Sequence, residues 1–156
     1  MNKTNAMRRL DTAKIKYEIC EYVPDESDLS GVHVAEQIGK PPEIVFKTLA
    51  ARGDKTGIVV FCIPCAKELD MKAAAAASRN KSIELLHVKD LLAATGYIRG
   101  GVSPIGMKKS YPTYIDASAQ DHEEITLSAG MKGAQLLLNS AEIIKFLGAT
   151  VCPITR

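Results

Sequence analysis

Lys47 interrupts a run that is otherwise apolar apart from Thr48: Ile44-Val45-Phe46-Lys47-Thr48-Leu49-Ala50-Ala51. In an extended strand it shares a face with Val45 and Leu49. A lysine on such a face either carries its ammonium out to water along the surface or directs it into a cavity. In a partly desolvated cavity it would hold an anionic or carbonyl group, with its field strengthened by the loss of water. A second feature is Arg99-Gly100-Gly101-Val102-Ser103-Pro104-Ile105-Gly106-Met107-Lys108-Lys109, with three glycines, three cations and no acid. Glycines let a backbone approach a ligand closely and present its N–H groups. The cations favour an anion such as phosphate, although a structural loop with a solvated basic rim accounts for the same residues. The lysine spacing is not that of a Walker loop. The third feature, Ser128-Ala129-Gly130-Met131-Lys132-Gly133, reads alone as a hairpin turn. Two small-residue loops and a strand lysine together favour one concave, anion-accepting site more than any of them does singly.

Other chemistries have weaker support. Cys62-Ile63-Pro64-Cys65 follows an apolar run and resembles a redox dithiol. However, a hairpin partner precedes it, and Asp70 is the better helix start. Zinc would need further ligands, and Cys20, Cys152 and His87 have no ligand spacing, so no metal is expected. His33 on a helix, His87 at a strand end and His122 in an acidic run read as surface or core. There is no G-x-S-x-G elbow. A catalyst built on this chain would work by positioning and electrostatics.

The elements that must place these groups follow from local pattern. Thr4 caps a helix to Lys14 with Met7, Leu10 and Ala13 on one face. Tyr17 to Val23 alternates as a strand, and Pro24-Asp25-Glu26-Ser27-Asp28 is a polar loop. Ser30 caps a helix over Val32 to Ile38, which Gly39 and Pro41-Pro42 end. Ile44–Arg52 and Gly57–Ile63 form a hairpin. Asp70 opens an alanine-rich helix over Met71–Ser78. A strand at Ile83–Leu86 and a helix at Val88–Ala94, stopped by Gly96, precede a long ordered loop from Tyr97 to Tyr111. Strands at Tyr114–Ala117, Glu124–Ser128 and Ala134–Leu138 follow. Ser140 caps a last helix through Leu147, and Thr150–Ile154 closes the chain as a strand. Strands and helices do not alternate strictly, which predicts a mixed sheet with helices packed outside it.

Composition bounds the class. At 156 residues, 46% hydrophobic and 24% charged, the chain fits one domain, spanning residues 1–156, with a sizeable core. Met1 to Lys16 is polar, with Lys3, Arg8, Arg9, Lys14 and Lys16 against Asp11. No apolar stretch follows that would make an export signal or a membrane span, so a cytoplasmic protein is expected. The net charge of +2 permits a nucleic-acid partner without demanding one. In that setting the four cysteines are expected to be reduced thiols.

Val45-Phe46-Lys47-Thr48-Leu49, Gly96-Tyr97-Ile98 with the glycine loop from Arg99 to Gly106, and Ser128 to Gly133 occur in this order. The sequence thereby resembles the YbaK/prolyl-tRNA-synthetase-associated editing family, in its Cys-tRNA(Pro)/Cys-tRNA(Cys) deacylase branch. The resemblance covers almost the whole chain. It implies one α+β domain with a curved, mixed, barrel-like sheet and flanking helices. It also implies free-standing hydrolysis of the ester in mischarged Cys-tRNA(Pro), without a cofactor, metal, DNA or membrane partner, and with prolyl-tRNA synthetase as an optional dock. The family's functional lysine falls on Lys47, its pocket tyrosine on Tyr22, its loop glycines on Gly100 and Gly101, and its pocket serine on Ser128. Thr48, Ser103, Pro104, Gly106 and Gly130 complete the implied substrate site. Arg99, Lys108, Lys109 and Lys132 are the expected tRNA contacts. An acidic residue of the cysteine-specific branch aligns with Gln135, which leaves the fine substrate preference open. The resemblance implies substrate assistance, in which the cysteinyl thiol attacks its own ester, and backbone N–H groups near Gly100-Gly101 are expected to receive the oxyanion. Two alternatives remain, a deacylase for alanine or serine and a non-catalytic tRNA- or nucleotide-binding module.

Overall fold

A computed structural model describes residues 2–25, 27–28 and 30–156; Glu26 of the expected polar loop lies outside them. The spine is a hairpin. β2 (Phe46–Gly53) and β3 (Gly57–Pro64) pair antiparallel from Phe46 opposite Pro64 to Gly53 opposite Gly57. Their side chains alternate between two covered faces. Phe46, Val60 and Cys62 join the larger core with Leu10, Ile115, Leu127 and Leu136. Ala51, Val59, Phe61 and Ile63 join a smaller one with Leu69, Ala74 and Ile154. Burial on both faces explains why β3 reads as an unbroken apolar run.

β4 (Ile83–Leu85) pairs antiparallel with β2, while β5 (Thr113–Asp116) and β8 (Thr150–Cys152) extend the other side in parallel, giving the order β4-β2-β3-β5-β8. A second, antiparallel sheet runs β1 (Glu18–Glu21), β7 (Ala134–Asn139), β6 (Glu124–Ser128). The fold is α+β with mixed pairing, as expected, but the sheet does not close into a barrel. Among the described residues one parallel bridge, between Val45 and Thr126, links the two sheets. Pro41 and Pro42 have no amide hydrogen for a ladder. Pro42–Ile44 also winds into a 3-10 turn, so pairing with β6 does not extend toward the N-terminal side of Val45.

The helices begin and end where capping chemistry placed them, within a residue or two. Thr4 accepts from the Met7 amide to start α1 (Asn5–Thr12), whose buried residues are Ala6, Met7 and Leu10. Ala13 falls past its end and is exposed. Ser30 and Gly39 bound α2 (Gly31–Ile38), Asp70 starts α3 (Met71–Ala77), and Gly96 ends α4 (Val88–Thr95). For α5 (Ser140–Leu147) the cap is Asn139, which accepts from the Glu142 amide. Ser140 instead donates its hydroxyl to the Ala119 carbonyl.

Residues 97–112 contain no helix or strand, yet they are firmly held. Tyr97 donates its hydroxyl to the Ile105 carbonyl, and Ser103 accepts from the Ile105 amide. The start of α1 ties down both small-residue loops: Asn5 donates to the Gly106 carbonyl and Thr4 to the Ala129 carbonyl. No helix among the described residues is long and apolar enough to cross a membrane.

Candidate active site

A cavity of about 450 Å³ lies between α2, the start of β2, the loop at Arg99 to Val102 and the turn that joins β6 to β7. Lys47, half-exposed, is on its wall, as are Tyr22, Thr48, Arg99, Gly100, Ser128, Lys132 and Gln135. The three sequence features therefore converge on one concavity. Strand alternation separates Lys47 from its neighbour: the Thr48 hydroxyl turns to the core, 3.8 Å from the Cys62 sulfur.

The far wall is built by β6 and β7. Gln135 is only 7% exposed, and its Oε1 accepts from the Thr126 hydroxyl at 3.1 Å. Ser128 accepts from the Gly130 amide at 3.1 Å, which shapes the turn. Tyr22 is anchored through its amide, which donates to the Gly133 carbonyl.

The glycine loop seats directly on this turn. Gly100 has φ of +86°, and Lys132 packs 3.3 Å from where its Cβ would be. A Cβ on Gly101 would stand 2.9 Å from the Met131 Cα and carbonyl carbon. Only glycine allows that approach. Gly101 itself is buried, and its N–H already donates to the Ile98 carbonyl at 2.9 Å. That N–H is spent inside the loop, so an oxyanion would have to be met by a neighbouring donor. Ser103 is fully buried, and Gly130 packs against the Tyr97 ring. Pro104, Gly106, Lys108 and Lys109 line a different hollow, described below.

Sequence reasoning missed one wall. Asp25, Asp28, His33, Gln37 and Cys65 also face the cavity. Gln37 clamps the backbone next to Tyr22: its Oε1 accepts from the Val23 amide at 3.1 Å, and its Nε2 donates to the Val23 carbonyl at 3.0 Å. The same Nε2 lies 3.1 Å from His33 Nε2. Both orientations of the amide are fixed by the backbone, so His33 Nε2 is the acceptor in that contact. Asp25 and Asp28 each stand 3.9 Å from the imidazole. Hydrogen bonds from Ser27 and Ser30, respectively, hold these two carboxyls below the usual range. The spacing of His33 and Gln37, four apart on an expected helix, was the available signal for a shared face.

The two thiols of Cys62-Ile63-Pro64-Cys65 are turned to different clusters. All four cysteines are free. Cys62 faces the larger core, whereas Cys65 packs with Ala35 and Val45. Burial pushes the Cys62 thiol up to about 12. Burial also raises Cys65, with the Lys47 charge acting in the opposite direction. Cys65 donates to the Pro42 carbonyl at 3.5 Å. Gly31, the first residue of α2, packs so closely on Cys65 that a Cβ there would lie 2.3 Å from the Cys65 Cβ. Among the described residues, no group of three or more His, Cys, Asp or Glu is placed to hold a metal.

A cavity of both charge signs, floored by a strand lysine and lipped by two small-residue loops on an α+β frame, suits an aminoacyl ester carried on a nucleotide. The family model of the aminoacyl-tRNA editing domain matches residues 29–146, and the chain belongs to that family. Over 153 residues, 98% of this chain and 93% of the relative, it is 48% identical to EbsC of Enterococcus faecalis. The name of that relative assigns it provisionally as a Cys-tRNA(Pro)/Cys-tRNA(Cys) deacylase. The backbone is similar to the crystal structure of a protein described provisionally as a trans-editing enzyme for prolyl-tRNA synthetase. That match has a TM-score of 0.85 at 22% identity and covers 100% of this chain and 99% of the other. The hypothetical protein APE2540 superposes with a TM-score of 0.88 at 18% identity, over 98% and 100% of the two chains. At these identities the two structures establish the fold alone.

Proposed function

We propose that this chain is a trans-editing deacylase that removes cysteine from Cys-tRNA(Pro), using the thiol of the substrate as nucleophile. The observation that carries this reading is that Tyr22, Lys47, Gly100, Ser128 and Gln135 surround one cavity whose own thiol, Cys65, is turned to the Pro42 carbonyl. The cysteinyl sulfur attacks the ester carbonyl carbon. A C–S bond forms, the bond to the ribose oxygen breaks, and that oxygen takes the thiol proton. Water then opens the released thiolactone to free cysteine. An attack within one bound conformer needs little beyond orientation. Lys47 orients the terminal adenosine or its phosphate, and Tyr22, Thr48, Ser128 and Gln135 shape the amino-acid end, with Gly130 fixing the turn that carries Ser128. The backbone N–H of Gly100 takes the developing oxyanion. Gly101, its own N–H engaged, holds the loop in place, as do Ser103, Pro104 and Gly106. Arg99 and Lys132 meet the tRNA at the rim. Prolyl-tRNA synthetase is a candidate dock that would supply tRNA selectivity in the cytoplasm.

Gln135, where the cysteine-specific branch has an acid, favours a second reading in which alanine or serine esters are the substrates. Single-turnover deacylation of Cys-tRNA(Pro) beside Ala-tRNA(Pro) decides between them. Loss of the cysteinyl ester alone is expected. Equal loss of both would require attack by water and overturn the thiol mechanism. Loss of neither would leave a tRNA-binding module.

A further inference from the structure

The second half of the glycine loop turns away from the cavity and lines another hollow, of about 250 Å³. Arg9 of α1, Lys108 and Lys109 surround it, with Pro104, Gly106, Tyr111 and Phe146 of α5. No acid lines it, and among the described residues none of these three cations is paired to a carboxylate. Of its hydroxyls, Tyr111 donates to the Ala94 carbonyl and Thr113 to the Tyr111 carbonyl, while Ser110 is exposed to a ligand. What it offers a ligand is positive charge, the Ser110 hydroxyl and the exposed face of the Phe146 ring. Among the described residues, Phe146 is the only aromatic of the exposed large hydrophobics, at 39% exposure.

Three unpaired cations beside an exposed ring match what an unstacked nucleotide requires: a phosphate contact and a face on which a base can lie. A free anion would have no use for the ring, and an apolar peptide none for the cations. The position fits as well. Gly100 lines the cavity and Pro104 the hollow, so at most about 14 Å of chain separates them. We infer that this hollow binds an unpaired nucleotide from the single-stranded 3′ end of the tRNA, with its phosphate on Arg9, Lys108 and Lys109 and its base on Phe146. The loop 99–109 would then be a septum, with the aminoacyl terminus on one side and the strand leading to it on the other. The identity of the RNA rests on the editing reading; the nucleotide chemistry of the hollow does not.

The test is equilibrium binding of a fluorescent acceptor-stem hairpin ending in an unpaired CCA, titrated at several salt concentrations. Arg9→Ala, Lys108→Ala and Lys109→Ala should each weaken binding and flatten the log–log salt slope by roughly 0.7. Phe146→Ala should weaken it roughly tenfold with the slope unchanged, and Phe146→Tyr should retain it. A hairpin without the unpaired end should not register Phe146→Ala. Unchanged affinity in all four alanine variants overturns the inference. So does a loss confined to the cations, which would mean a diffuse field, or a Phe146 effect that persists without the unpaired end. Because no ester is hydrolysed in this assay, a failure of the editing reading would appear separately, as an intact ester with wild-type protein.

Discussion

Gly101 and Met131 meet at backbone distance: a Cβ on the glycine would lie 2.9 Å from the Met131 Cα. The contact locks the glycine loop to the β6–β7 turn, and with it the relative positions of Gly100 and Ser128 on the cavity wall. Gly101→Ala must push two main chains apart, since no flexible side chain can yield. Overpacking of this kind costs about 1–3 kcal/mol. The expected result is a loss of ester hydrolysis larger than tenfold with a lowered melting temperature. Gly57→Ala is the control. Gly57 has φ of +77° with nothing within 4 Å, so it should cost about 1–2 kcal/mol of stability and leave turnover near wild type. Equal turnover in both variants would remove the loop contact from the account of the site.

Lys47→Ala should lower single-turnover deacylation about a hundredfold, the scale set by losing one electrostatic donor at a reacting group. Lys47→Arg should not restore it, because a planar fork cannot replace a compact ammonium. A readout without substrate is available as well. The Lys47 charge opposes the burial that raises Cys65, so Lys47→Ala should slow alkylation of Cys65 at fixed pH. Unchanged turnover with slowed alkylation would put the ammonium in the cavity but outside the reaction.

Much of this arrangement was legible in the sequence because it is local. A lysine inside an apolar strand, caps at Thr4, Ser30 and Asp70, and stops at Gly39 and Gly96 all act within a turn of the residue concerned. Even the misassigned cap of α5 moved by one residue, between two good cap formers, Asn139 and Ser140. What the sequence hid depends on distant partners. Sheet closure turns on whether pairing between β2 and β6 extends beyond the Val45–Thr126 bridge, and it does not. The engagement of the Gly101 N–H, the division of one loop between two hollows and the Gln37 clamp on Val23 are all set by tertiary placement.

Gln135 and Thr126 form a buried pair within the second sheet. Thr126→Val keeps the shape but strips the donor, leaving Gln135 Oε1 unsatisfied at a cost of about 1–3 kcal/mol. Urea unfolding should register this as a lower midpoint at unchanged slope. Gln135→Glu keeps an acceptor for Thr126 and should fold normally. It should change the ratio of Cys-tRNA(Pro) to Ala-tRNA(Pro) hydrolysis severalfold while retaining turnover. An unaltered ratio would exclude Gln135 from amino-acid selection.

Alkaline stability should report the burial of Cys62. Its thiol ionises at about 12 in the folded chain against 9.0 for an ordinary cysteine. Below pH 9 both states hold the proton, and the difference contributes nothing. Above pH 9 the unfolded chain loses its proton first, so the folded state binds more protons and stability falls as pH rises. The slope is roughly 1.4 kcal/mol per pH unit, continuing until the folded thiol also ionises. Tyr97, Cys65 and Cys152 are raised by burial too and add to the decline in the same direction. The informative quantity is therefore the difference between wild type and Cys62→Ala. The variant should be less stable at neutral pH, because a filled core position is emptied, yet lose stability more slowly between pH 9 and 11 by about one proton's slope. Parallel curves across that range would mean that Cys62 ionises alike in both states, contrary to a thiol sealed between β2 and the larger core.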